Sequence, residues 1–311
     1  MFLVRPGVPE MLALTNTINR SALCFFLFVA FCGSAGAQTS PQAEQTGSGI
    51  SLAPARIEME MRPGTEATVV VDLDYHAAGE NTQPVRIVAT LNDWTLNRNG
   101  EVEFQKANTL PNSASGWLIY SPAETTVTPG KTHSIRVTIS VPKDATPGDH
   151  LSALIVEQRA DTIKLIQNRR QMVVRYRMAA VFYIKVGQLT RRGSLENLHA
   201  EASADSVLLI PTLKNQGNSA IRPVASALIT NAAGQIVAQS AEKESLPVLA
   251  GSELAKPLTI EKALAPGTYS VKYRIDFQDG SRPTEGVTDL VVGNAAASVS
   301  YPRSDGKPAK P

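Results

Sequence analysis

Apolar and polar positions alternate in short runs along most of this chain, and glycine, proline and asparagine turns separate the runs. The clearest run is residues 171–186, QMVVRYRMAAVFYIKV, sixteen residues without a glycine or proline. Met172, Val174, Tyr176, Met178, Ala180, Phe182 and Ile184 fall on one face by period two, and Arg175, Arg177 and Lys185 fall on the other. Wound as a helix, the same charges scatter around the wheel, so the pattern predicts a strand. At about 3.3 Å per residue it would run roughly 50 Å, well beyond the usual strand of about 5–6 residues. Such a strand bends where one domain ends, or outruns its own sheet and leaves an edge for another chain to pair with, or does both.

The same alternation predicts strands at 50–58, 66–75, 85–94, 101–105, 116–120, 132–141 and 150–159 before this run. After it come 194–203, 206–215, 223–230, 235–240, 252–260, 267–277 and 286–292. The NRNG run at 97–100 predicts a hairpin turn, because Asn-Gly accepts the positive φ of a tight turn. Pro-Gly pairs at 63–64, 129–130, 147–148 and 266–267 punctuate further connections. About seven strands in about 100 residues is an immunoglobulin-like count, and no convincing amphipathic helix interrupts either half. The expected fold is therefore all-β, with two immunoglobulin-like β-sandwich domains in tandem, 50–187 and 188–293. A disordered tail of small and polar residues is expected at 294–311.

Residues 1–37 read differently. Arg5 and Arg20 precede an apolar run at 22–32, ALCFFLFVAFC, and Ala35-Gly36-Ala37 offers a small-residue cleavage site. The run is too short to cross a bilayer, so a cleaved secretory signal peptide is expected, followed by a flexible arm at 38–49. Both cysteines, Cys24 and Cys32, lie inside that segment. The mature chain would then hold no disulfide and no thiolate site, and would be stabilised by packing alone. The whole chain carries 30 Lys and Arg against 28 Asp and Glu, a balance that argues against a nucleic-acid binder.

Catalytic chemistry finds no foothold. His76, His133, His150 and His199 stand far apart and in no metal-ligand spacing. The PGKT at 129–132 lacks the upstream glycine of a phosphate loop, and no GxSxG elbow occurs. Asp72 with Asp74, and Glu58 with Glu60, read as solvent-facing pairs on strands, and Trp94 and Trp117 as packing anchors. No enzyme activity, metal or cofactor is expected.

Several of these residues, taken in order, resemble the periplasmic pilus-assembly chaperones, which are built of two immunoglobulin-like domains set at an angle. The residues that carry the resemblance are Ser51-Leu52-Ala53-Pro54-Ala55-Arg56, the run TVTPGKTHSIRVTISVP at 126–142, the strand at 150–157, and the long strand ending in Phe182-Tyr183. The resemblance covers most of 50–187, and the second domain matches only as a generic immunoglobulin-like unit. It implies a periplasmic protein that lends its long strand to secreted or pilus-type subunits by strand addition. An outer-membrane usher would be a further partner. It also implies an interdomain cleft in which arginine and lysine hold the subunit's terminal carboxylate. Arg56 matches the arginine. Ala180 stands where the family has its lysine, so Arg175, Arg177 or Lys185 would have to supply that charge. Met172, Val174, Tyr176 and Met178 lie one residue out of phase with the family's donor positions, which a bulge could restore. The candidate client-binding set is thus Arg56, Met172, Val174, Arg175, Tyr176, Arg177 and Met178. The alternative is a structural or adhesive cell-envelope protein built from the same modules, with the long strand covered and the cleft packed or neutral.

Overall fold

The structure is a computed structural model that describes residues 49–76, 83–159, 176–293 and 298–302. All of them lie within one compact unit, Gln45–Pro311. The first part contributes β1 (Gly49–Ala53), β2 (Arg56–Met61), β3 (Glu66–His76), β4 (Val85–Leu96), β5 (Val102–Lys106), β6 (Leu118–Ser121), β7 (Glu124–Val127), β8 (Thr132–Ser140), β9 (Gly148–Gln158) and β10 (Arg177–Val186). They form one sheet in the order β1-β3-β8-β6 and another in the order β2-β10-β9-β4-β5, with β7 also pairing β4. Period-two alternation turns Leu73, Ile135 and Ile139 of the first sheet toward Ile87, Leu154, Phe182 and Ile184 of the second. All are at most 1% exposed, and each such side chain stabilises by about 1.5–3 kcal/mol. This sandwich is packed without a cysteine among its described residues.

The second sandwich is built from β11 (Gly193–Ala202), β12 (Val207–Asn215), β13 (Val224–Asn231), β14 (Ile236–Gln239), β15 (Lys243–Glu244), β16 (Glu253–Leu254), β17 (Leu258–Ile260), β18 (Gly267–Asp276), β19 (Thr284–Val292) and β20 (Ser298–Pro302). The sheet β11-β12-β16, with β17 also on β12, faces the sheet β14-β13-β18-β19-β20, with β15 on β13. Leu209, Leu213 and Leu254 meet Ile229, Val271, Tyr273 and Leu290 in its core.

The all-β, two-sandwich expectation holds, and the departures from it have local causes. The strand expected at 50–58 divides at Pro54, which has no N–H to give a ladder. β1 pairs antiparallel with β3 in one sheet, and β2 pairs parallel with β10 in the other. The strand expected at 252–260 is likewise interrupted, with Pro257 in the break, but β16 and β17 both stay on β12. The four residues of β7 lie between Pro122 and Pro129 and are too short to show a period. The tail expected to be disordered places 298–302 as β20 along the edge of β19. An open edge of unpaired main chain stabilises a strand there, whatever its side chains, and composition cannot show this. Residues 1–37, most of the arm, 171–175 and the rest of the tail lie outside the described residues.

Residues 187–192 join the two sandwiches, which meet closely. Asp149 N donates to Asn218 O at 2.8 Å, and Ala220 N donates to Asp149 Oδ2 at 2.6 Å. A Cβ at Gly148 would come within 2.8 Å of Asn218 O, and its φ of +132° suits glycine alone. The hairpin turn at 97–100 reaches across as well. Arg98 O accepts from Ala255 N at 2.6 Å, and Arg98 Nη2 donates to Thr212 Oγ1 at 3.3 Å.

Candidate functional site: an open strand edge beside a charged cleft

β10 pairs along its whole length with β9, from Arg177 opposite Glu157 to Val186 opposite Gly148. On its other side β2 begins only at Arg56, opposite Val181. Residues 177–180 are therefore paired on one side alone among the described residues. Main-chain direction alternates along a strand. Tyr176 O accepts from Gln158 N on the β9 side, whereas Val181 N donates to Ala55 O on the β2 side. The N–H and C=O groups of Arg177 and Ala179 thus point away from β9, toward the open edge. Even-numbered residues turn into the sandwich: Tyr176 and Met178 pack half-buried against the core, and Ala180 is fully buried in it.

Where β2 takes up its place on β10, the outer face of the sheet forms one wall of a cleft of 780 Å³. Trp94, Leu96, Val102, Val181 and Tyr183 line that wall, and Arg222, Leu246, Leu258 and Tyr273 of the second sandwich line the other. Trp94 and Tyr183 meet edge to face at 5.1 Å. The indole N–H of Trp94, which is 2% exposed, has no acceptor among the described residues. Asp93 fixes the strand that carries this tryptophan. Fully buried, it accepts from Asn108 N (3.2 Å), Thr109 N (2.7 Å), Leu110 N (2.8 Å), Ser113 Oγ (2.5 Å) and Ser115 Oγ (2.6 Å). Burial alone would push its carboxyl up, but the bonds from Leu110, Ser113, Ser115 and Thr109 outweigh that and hold it below its ordinary range.

An ion cluster forms around Arg56 and Arg222, two of the charged residues that line the cleft. Arg56 lies in its lining and its Nε is 3.3 Å from Glu58 Oε1. Arg222 Nη2 reaches the same oxygen at 2.7 Å, and Lys185 Nζ reaches Oε2 at 2.8 Å. Burial would raise the Glu58 carboxyl, but Lys185 and Arg222 together hold it below its ordinary range. The Arg222 guanidinium lies over the Tyr183 ring at 5.5 Å, a cation–π contact that keeps it at the cleft wall.

The structure brings only part of the sequence-derived set together. Arg56 is at the cleft. Arg177 is four residues farther along β10, about 13 Å at strand rise, where it pairs with Glu157 at 3.9 Å and lies over Phe104 at 5.7 Å. Arg177 therefore does not converge with Arg56. Met172, Val174 and Arg175 lie outside the described residues. Tyr176 and Met178 border the open edge with their side chains on the core face, so no bulge shifts the described part of the strand onto the other phase. Ala180 is buried and carries no charge to the cleft. Sequence reading missed Arg222, whose signal is a lone arginine between Ile221 and Pro223 on a linker between strands. Glu58, read as a solvent-facing carboxylate, is exposed as expected, but its role as the hub of the ion cluster was not foreseen.

Fold and site together define a two-sandwich immunoglobulin-like protein with an incomplete sheet edge running out from an arginine-bearing cleft. No family model and no curated protein sequence matches the chain. Among solved structures it is similar to a chaperone–tip adhesin complex of CFA/I fimbriae biogenesis, at 10% identity over 77% of this chain and 98% of the other, with a TM-score of 0.39. It is also similar to the class 5 fimbriae chaperone CfaA, at 12% identity, 77% and 98% coverage and a TM-score of 0.38. The Pseudomonas aeruginosa CupB2 chaperone matches at 13% identity, 74% and 95% coverage and a TM-score of 0.36.

Proposed function

We propose that this is a non-enzymatic, periplasmic chaperone-like protein that binds secreted or pilus-type subunits by strand addition along β10, extending through residues 171–176. The observation that carries the reading is the side of residues 177–180 that has no strand partner among the described residues. A client strand laid there would bond to the main chain of Arg177 and Ala179, which gives affinity without regard to client sequence. Its end would enter the cleft, where Arg56 and Arg222 offer guanidinium groups to a terminal carboxylate. Tyr176 and Met178, already on the core face, would continue the apolar surface from the chaperone into the client.

Ala179→Pro tests this directly. Proline removes the outward N–H and places its ring on the open edge, yet Ala179 gives no ladder bond to β9, so the sandwich tolerates it as an edge strand does. Client affinity should fall at least about tenfold, the equivalent of one lost hydrogen bond of about 1–1.5 kcal/mol, with steric exclusion adding to it. Thermal stability measured beside it should change little. Unchanged affinity would remove the strand-addition mechanism and favour the structural-envelope alternative. Met178→Asp is a poorer probe, because it also puts a charge against the core.

A further inference from the structure

Glu58 occupies the same guanidinium groups that a chaperone of this kind would offer to a client carboxylate, and its role rests on that chaperone reading. Its Oε1 takes Arg222 at 2.7 Å and Arg56 at 3.3 Å, while its Oε2 takes Lys185 at 2.8 Å. One carboxylate thus faces three cations. We propose that Glu58 is an internal stand-in for the ligand's carboxylate, holding the cleft arginines in the free protein and so tempering the affinity of the cleft for chains ending in a free carboxylate.

The exchange keeps every charge paired. An incoming carboxylate takes Arg56, whose side chain is 56% exposed, and shares Arg222, while Glu58 retreats onto Lys185. Lys185 is 14% exposed and needs a partner in both states, so Glu58 turns rather than leaves. Arg222 keeps its place through the Tyr183 ring. A main-chain carbonyl or a C-terminal amide cannot make this exchange, because a neutral acceptor binds guanidinium roughly half as strongly as a carboxylate does. Glu58 is thus the acceptor against which an incoming carboxylate competes for the two arginines. Its isosteric replacement removes both a competitor for the arginines and a like charge facing the ligand.

The probe is the tripeptide acetyl-Val-Ala-Phe with a free carboxylate, beside its C-terminal amide, titrated calorimetrically into the full-length mature protein. Glu58→Gln should bind the free acid about tenfold tighter than wild type does, about 1.4 kcal/mol. The amide should bind both proteins equally and weakly, so that discrimination between acid and amide changes only through the acid. Glu58→Asp keeps the charge on a shorter arm and should give a smaller gain, and melting temperatures of both variants check that the fold is intact. Equal or weaker binding of the acid by a folded Glu58→Gln protein would overturn the stand-in role. If Arg222→Ala still lost the acid in that case, the cleft reading would survive without it. Binding of the acid by neither wild type nor Glu58→Gln would overturn both.

Discussion

Asp93→Ala should destabilise the first sandwich by about 3–5 kcal/mol, because each buried donor left without an acceptor costs about 1–3 kcal/mol. The N–H groups of Asn108, Thr109 and Leu110 and the hydroxyls of Ser113 and Ser115 would all lose their acceptor in one step. The loop they hold is what seats β9, since Ala114 N donates to Leu151 O and Leu151 N to Asn112 O, both at 2.8 Å. In a protein of this size a loss of that order lowers the melting temperature by roughly 10 °C. Thermal unfolding followed by circular dichroism measures it, and a loss below about 1 kcal/mol would mean the loop stands without Asp93. The sign with pH follows from the lowered carboxyl. Its stabilisation is complete above the ordinary value of 3.8 and is lost as pH falls from there through the lower folded value. Asp149 works in the opposite direction, because burial raises its carboxyl and acid relieves that cost. The acid limb is therefore read as the difference between wild type and Asp93→Asn, which cannot titrate at this position.

Arg222→Ala should weaken client binding by about 2–5 kcal/mol, the range for truncating one partner of a desolvated charge pair. Arg222 is the stronger candidate of the two cleft arginines. Its side chain is 23% exposed against 56% for Arg56, and Glu58 and the Tyr183 ring orient it. Arg56→Ala should act in the same direction with a smaller loss, because solvent screens the more exposed group. Neither change should cost the fold more than about 1 kcal/mol, the scale of a single exposed ion pair or cation–π contact. Client affinity and melting temperature, measured together on both variants, separate these effects. Arg177→Ala serves as the control, since its guanidinium is at Glu157 and Phe104 rather than in the cleft.

Much of the fold was legible because period-two alternation and Asn-Gly or Pro-Gly turns act locally. β3, β4, β8, β9, β11, β12, β13, β18 and β19 stand within two residues of where the pattern puts them. What the pattern could not carry was pairing. Nothing in the sequence at 50–58 says that the chain changes sheets at Pro54, yet that change sets how far β2 accompanies β10 and so leaves 177–180 paired on the β9 side alone among the described residues. The charged site was legible at Arg56 and, as one of three candidates for the missing lysine's charge, at Lys185. Glu58, Lys185 and Arg222 are brought together from two sandwiches by the docking of Asp149 on Asn218 and Ala220, and no spacing in the chain encodes such a meeting. Asp93 was hidden for a different reason: a lone acid inside an apolar strand looks like a solvent-facing position until its donors, 15 to 22 residues away, are in place.

Amide hydrogen exchange along β10, resolved residue by residue, tests the open edge most directly. In the free protein the N–H groups of Arg177 and Ala179 should exchange fast, while those of Met178 and Ala180, directed at β9, should be protected. A bound client strand should slow Arg177 and Ala179 to the rate of their neighbours. Arg177 and Ala179 already as slow as Met178 and Ala180 in the free protein would contradict the open edge, and with it strand addition at this site.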